Sequence, residues 1–265
     1  SSDLITVAAA LRKTGLPVLT IGRGSNMLVA DEGFAGIAIR LGEFAASVDL
    51  PDPGQETGVV VAGGGASLPV VARRTASAGW RGLEWAVGVP GSVGGAVRMN
   101  AGGHGSDMDE SILDVEVFDL STGSLARRQR SGLGLRFRGS NLTDLDVVVR
   151  ARLAVRAGDI REAESTIDDI VRWRRENQPG GQNAGSVFVN PVPGRVSAGE
   201  LIDRAGLRGF RIGSAEVSRK HANFIQADEN GRAADVVAVM RHVHECVRRE
   251  FGHDLRSEVR LVGFE

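Results

Sequence analysis

The sequence predicts an α+β fold in two parts, and three observations carry that reading. Short apolar runs of strand type fill the first half and end repeatedly in glycine and serine turns. From Gly158 onward, helices with one apolar face alternate with short strands. Gln178-Pro179-Gly180-Gly181-Gln182-Asn183 then forms a connection too rich in breakers for either element. A first domain is therefore expected over residues 1–157 and a second over residues 158–265.

In order along the chain, Ser1 to Thr14 reads as a helix, with Asp3 as its cap, Leu4, Val7, Ala8 and Leu11 on one face, and Gly15 as its stop. Leu16–Gly22 is a strand running into Gly22-Arg23-Gly24-Ser25-Asn26. Met27–Val29 and Gly36–Leu41 are further strands, and Gly58–Ala62 meets a second cluster, Gly63-Gly64-Gly65. Ser67 can cap a helix with Pro69 in its first turn and Gly79 past its end. Then comes the densest glycine stretch, GLEWAVGVPGSVGGAVRMNAGGHG (82–105), in which Ser92 to Ala101 can form a short helix. Such density serves either tight turns or backbone approach to a ligand. Leu113–Asp119 alternates with Leu113, Val115 and Val117 on one face. A turn at Ser121-Thr122-Gly123 pairs it with Ser124–Gln129, and Leu145–Val155 is another strand.

In the second part, Asp159 and Glu162 have the spacing of a capping box ahead of a helix reaching about Glu176, with Ile160, Ala163, Ile167, Ile170 and Val171 at helical spacing. Strands are expected at Ser186–Val189, Ser214–Ser218, Asn223–Gln226 and Asp254–Val262. Helices are expected near Ala198–Ala205 and over Ala233–Phe251, the latter ended by Gly252.

Composition narrows the chemistry. The 265 residues carry a net charge of -1, which gives no electrostatic reason to expect nucleic acid or an anionic membrane. There is no apolar run of membrane-spanning length and no basic-then-apolar leader, so a cytoplasmic protein is expected. A single cysteine, Cys246, excludes an internal disulfide framework. It sits beside an apolar helix stripe, as a small buried residue does. His242 and His244 point to different faces of one helix, and His242 with Cys246 lacks a third ligand, so no metal site is expected. No Gly-x-Ser-x-Gly elbow is present, and the absence of tyrosine removes tyrosine acids and nucleophiles. What remains is repetition: three glycine and serine turns (22–26, 63–67 and 88–95) close strands in one half, as a dinucleotide-like ligand would require.

GRGSNMLVAD (22–31), the 82–105 stretch, FRGS (137–140), AGSVFVNP (184–191), AGELIDRAGLRG (198–209), SRKHANF (218–224) and LRSEV (255–259) occur in this order over nearly the whole chain. On these blocks the chain resembles the UDP-N-acetylenolpyruvoylglucosamine reductase family of peptidoglycan synthesis, in the shorter subtype that lacks a tyrosine-bearing insertion. The resemblance implies an FAD-binding domain of the vanillyl-alcohol-oxidase/PCMH type, followed by a smaller α+β substrate-binding domain whose last strand returns Glu258 to the flavin. It implies FAD as cofactor and NADPH as hydride donor, the NADPH and a UDP-sugar substrate taking turns at one site. Hydride passes by way of the flavin to the enolpyruvyl C3, and C2 is protonated.

The same resemblance implies three catalytic residues. Ser186 stands as proton donor to C2, and Arg138 and Glu258 stabilise the enol form of the substrate carboxylate, for which a guanidinium fork is well shaped. Without the resemblance, Ser186 reads as a turn serine and the other two as surface ion-pair partners. Substrate contacts are implied for Asn190 and Gln178. FAD contacts are implied for Gly22, Gly24, Ser25 and Asn26, and for Val89, Pro90, Gly91, Ser92 and Gly95. The chain departs from the family in three places: Phe137 and His104 stand where tyrosine is usual, and Val189 stands where lysine is common. The family's opening strand-and-glycine segment is also expected to be missing, since the sequence starts at the helix that follows it. A monomer is expected. The alternatives are another FAD oxidoreductase on the same scaffold, or a non-catalytic flavin or nucleotide-sugar binding module.

Overall fold

The computed structural model describes residues 2–192 and 194–264. In chain order the elements are α1 (Ser2–Thr14), β1 (Val18–Ile21), β2 (Met27–Val29), β3 (Ile37–Arg40), β4 (Val48–Asp49), β5 (Thr57–Gly63), α2 (Leu68–Ser77), β6 (Trp80–Arg81), α3 (Val93–Met99), β7 (Gly102–Gly103), β8 (Ser106–Asp107) and α4 (Met108–Ser111). They continue as β9 (Ile112–Asp119), β10 (Ser124–Gln129), β11 (Asp146–Ala157), α5 (Ile160–Asn177), α6 (Ala198–Arg204), β12 (Arg211–Ile212), β13 (Ala215–Val217), β14 (Ile225–Ala227), α7 (Ala233–Phe251) and β15 (Arg260–Val262). The residues form two compact units, one of residues 1–23 and 35–173, the other of residues 24–34 and 174–265.

The first unit is built on an antiparallel sheet in the order β10-β9-β11-β5-β4, with β6 on one end of β11. One face buries Val60, Val115, Val117, Ala151 and Leu153 under apolar faces of α2, α3 and α5. On the other face Phe118 and Val147 pack with Leu4, Ala8 and Leu11 of α1 and with Val18 and Ile39 of the parallel pair β1–β3. Successive strand residues point to opposite faces, so one strand supplies both cores. A buried carboxylate, Asp114, is held by Arg127 at 2.8 Å and Arg152 at 2.9 Å.

The structure departs from several local expectations. Helix α1 starts at Ser2, so Asp3 lies inside its first turn, where its charge meets the positive helix end. Gly15 closes α1 with φ +63° and donates to the Leu11 carbonyl. Ser67 stands at the N-cap of α2 without a side-chain capping bond. Leu113 does not share the face of Val115 and Val117. Across the sheet Arg152 faces Asp114 and Leu153 faces Ile112, so Leu113 is passed over at a bulge and is exposed, and Ile112 takes its buried place. Helix α5, read as the start of the second part, buries Ala163, Ile167 and Ile170 in the core of the first unit. Asp159 accepts from the Glu162 N–H as the capping box requires, but the Glu162 carboxylate turns to Arg81 instead of back to Asp159.

In the second unit, α6 and α7 pack with β12–β13–β14 around Leu201, Ile202, Val217, Val239, Val243 and Val247. Cys246 is buried in that core. The segment 24–34 belongs to this unit because β2 pairs in parallel with β15. Asp31 also accepts from the N–H groups of Ala233 and Ala234, capping α7 where Arg232 makes no capping bond. The strand expected over Asp254–Val262 is confined to Arg260–Val262.

Candidate active site

The carboxyl ends of the parallel strands β1 and β3 open into a groove of the first unit, the usual place for a ligand in such pairs. It is lined by Gly22 and Arg23 after β1, Arg40 and Leu41 around the end of β3, Gly64 and Gly65 after β5, and Ser92, Gly94, Gly95 and Arg98 at α3. Residues of all three glycine turns of the first half thus meet in one groove. Gly94 donates to the Gly64 carbonyl at 2.8 Å, and Ser92 Oγ accepts from the Gly95 N–H at 3.3 Å. A Cβ on Gly22 would come within 2.5 Å of Ser92 Oγ, and one on Gly64 would collide with the Val148 carbonyl oxygen. Left-handed φ occurs at Gly24, Gly82 and Gly105 but at none of the groove glycines 22, 64, 65, 94 and 95. Close approach of neighbouring atoms, not turning, is what Gly22, Gly64, Gly65 and Gly94 need, whereas a Cβ on Gly95 would make only an ordinary contact with Ser92 Oγ at 3.4 Å.

Arg23, Arg40 and Arg98 line the groove with one acidic residue, Asp146, and Arg98 is itself paired with Asp144 at 3.4 Å. Asp146 is already engaged by Arg128 and by the Thr143 N–H. The groove is thus cationic and walled by backbone, which fits a pyrophosphate-bearing cofactor. Of the residues expected to touch FAD, Gly22, Ser92 and Gly95 line it. Val89, Pro90 and Gly91 form the approach to α3, where the Gly91 carbonyl accepts from Leu68 N–H. Gly24, Ser25 and Asn26 fall in the second unit, where the Asn26 side chain donates to the Glu258 carbonyl at 3.0 Å. Arg40 and Arg98 also line the groove and stand outside the expected set. Arg40 reads as the polar position of an alternating strand, and only the parallel pairing of β1 with β3 marks its end as a ligand site.

Arg138 sits at the tip of a tight turn in which Arg136 and Gly139 exchange both backbone hydrogen bonds. Its φ is +55°, a left-handed conformation that normally falls to glycine or asparagine at this place in a turn. The guanidinium lies 5.1 Å from the Phe137 ring centroid and donates to the Gly102 carbonyl. His104 also has positive φ, and its ring meets Trp173 edge-on at 5.2 Å.

The second unit brings Ser186 and Glu258 onto neighbouring segments. Glu258 N–H donates to the Val187 carbonyl at 2.8 Å, and Val189 N–H donates to the Arg256 carbonyl at 2.9 Å. Residues 186–189 do not form the expected strand. Their other edge is bound by Asn223, whose backbone carbonyl and side-chain amide take the places a ladder strand would fill. Asn190 is exposed and accepts from the Ala198 N–H at the start of α6, and Gln178 lies just past α5. His221 Nδ1 accepts from the Asn223 N–H at 3.2 Å. Burial, and then the Arg208 guanidinium, push the His221 imidazole below its ordinary 6.5. Among the described residues no group of three or more His, Cys, Asp or Glu is placed to hold a metal, and no helix is long and apolar enough to cross a membrane.

A family model described as an FAD binding domain matches residues 1–128. One for the C-terminal domain of UDP-N-acetylenolpyruvoylglucosamine reductase matches residues 177–262. Over 264 residues the chain is 41% identical to the UDP-N-acetylenolpyruvoylglucosamine reductase of Heliobacterium modesticaldum, covering 99% of this chain and 82% of that one. The chain belongs to that reductase family. The reductase of Synechococcus sp. (strain RCC307) is 43% identical over 251 residues, 94% of this chain and 80% of that one. The crystal structure of the Thermus caldophilus reductase matches with a TM-score of 0.81 at 35% identity, over 97% of this chain and 89% of that chain. An FAD-binding domain followed by the C-terminal domain of the reductase family makes this chain an FAD-dependent oxidoreductase.

Proposed function

We propose that this reductase uses NADPH to reduce the enolpyruvyl group of UDP-N-acetylglucosamine enolpyruvate to UDP-N-acetylmuramate, a peptidoglycan precursor. The flavin belongs to the first domain, and the substrate to the second, through Asn190 and Gln178. FAD, when bound, relays hydride between NADPH and the substrate. The groove lined by Gly22, Gly64, Gly94 and Gly95 would take its pyrophosphate, with Arg23 and Arg40 supplying positive charge. Gly24, Ser25, Asn26, Val89, Pro90, Gly91 and Ser92 complete the set proposed for it.

Hydride added at C3 drives the electron pair of the C=C bond toward C2 and the adjoining carboxylate. The fork of Arg138 binds that carboxylate through both oxygens, and Glu258, sharing a proton with the enol form of the carboxylate, donates a hydrogen bond to the developing charge. Ser186 Oγ–H delivers its proton to C2, closing the saturated product, and recovers a proton from solvent. The observation that carries these assignments is the backbone pairing of the Ser186 segment with Glu258, since a donor and a stabiliser must share one rigid frame. The left-handed Arg138 supports them too, as strain held at a polar turn residue. Action in the cytoplasm as a monomer is part of the proposal, and the single, buried cysteine supports that compartment.

Ser186→Ala tests the proton-donor role. NADPH should bleach the FAD-loaded variant at the wild-type rate, while recolouring by substrate slows by about 10²–10⁴-fold. Recolouring as fast as wild type removes the role.

A further inference from the structure

Asn223 is an asparagine in an apolar core, 5% exposed, between Val187, Phe188 and helix α6. Its Oδ1 accepts from the Phe188 N–H at 3.0 Å, and its Nδ2 donates to the Phe188 carbonyl at 2.8 Å. One side chain thus makes the reciprocal pair that two residues of an antiparallel ladder make. Its own carbonyl accepts from the Val187 N–H at 2.9 Å, and the Val187 carbonyl accepts from Glu258 N–H at 2.8 Å. The N–H and C=O groups of both residues after Ser186 are therefore all engaged, on one side by Asn223 and on the other by Glu258. Buried amides are costly unless satisfied, and here the cost is met only by gripping this one segment. The Cβ of Asn223 lies 3.6 Å from the position a Cβ on Gly199 would take, so α6 backs the clamp closely.

We propose that Asn223 is a positioning residue for the reduction, a clamp that fixes the Ser186–Phe188 backbone against Glu258 so that Ser186 Oγ is held for proton delivery. This rests on the assignment of Ser186 as proton donor. The clamp touches no substrate and acts through the segment it grips.

The test uses the full chain loaded with FAD, as wild type, Asn223→Ala, Asn223→Asp and Ser186→Ala. Amide hydrogen exchange is read at Val187 and Phe188, and the rates of bleaching by NADPH and of recolouring by the enolpyruvyl UDP-sugar are read separately. Asn223→Ala is expected to lose protection at Val187 and Phe188 and to recolour roughly 10²-fold more slowly, a loss of the size that displacing a reacting group causes. Bleaching should stay at the wild-type rate. Asn223→Asp keeps the shape and, once protonated, regains one donor and one acceptor. Its protection at Phe188 and its recolouring rate, each relative to wild type at the same pH, should therefore recover together as the pH is lowered. Exchange that accelerates without slower recolouring overturns the positioning role, as does unchanged exchange. Losses in both half-reactions that track only the fraction folded overturn it as well, since they mark a merely structural amide. If Ser186→Ala recolours slowly and Asn223→Ala does not, only the clamp fails. If Ser186→Ala recolours at the wild-type rate, the donor assignment fails and takes the proposal with it.

Discussion

Arg138 holds a left-handed φ of +55° at a turn position where glycine would sit without strain. Arg138→Gly should therefore raise stability by roughly 1 kcal/mol, as relief of an unfavourable backbone conformation does. The same change should abolish most turnover with the UDP-sugar. Opposite signs in thermal unfolding and activity would mark strain kept for function, whereas a loss of both would mark a structural turn. His221 gives a second prediction. Burial and the Arg208 guanidinium hold its imidazole below the 6.5 it has when unfolded, and Nδ1 accepts a hydrogen bond that protonation would remove. The unfolded chain then binds the proton more readily. The stability from this group is present above 6.5 and is lost as pH falls through 6.5 toward the lower folded value. Denaturant unfolding at about pH 8 and about pH 5.5 should show a fall in stability that shrinks in His221→Gln.

At the scale of elements, α7 depends on a cap from far along the chain. Asp31 supplies both carboxylate oxygens to the first N–H groups of this helix across 202 and 203 positions. Asp31→Ala should cost about 1–2 kcal/mol, readable as a lower unfolding midpoint, with Arg232 unable to substitute because it makes no capping bond. The sequence displayed α7, α1 and the β9–β10 hairpin, because each carries its own period and stop signals. It could not display β4, β6, β7 or β8, which at two residues are too short for any period. Leu113 escaped because a bulge breaks alternation without changing composition. Residues 186–189 looked like a strand, but their partners are a side-chain amide and a distant loop, which no local pattern reports.

At the scale of the whole molecule, the three glycine turns were visible as motifs, and their meeting in one groove was not. That meeting depends on β1 pairing in parallel with β3, and on α3 bonding back to the 63–66 turn. Likewise the run Gly22 to Asn26 looks continuous, yet residues 24–34 belong to the second unit because β2 pairs with β15. The division explains why Asn26, expected at the cofactor, bonds to the Glu258 carbonyl across 232 positions. Arg138, Ser186 and Glu258 are single residues in ordinary contexts. Only the resemblance to the reductase family singled them out, and their chemistry is where the central claim is tested. The most direct measurement is anaerobic absorbance near 450 nm (about where oxidised flavins absorb) of the FAD-loaded protein through one cycle. The expected result is bleaching by NADPH, followed by full recovery on adding an equivalent of the enolpyruvyl UDP-sugar. A bleached protein that this substrate leaves colourless, and that regains its colour only when oxygen is admitted, would contradict it.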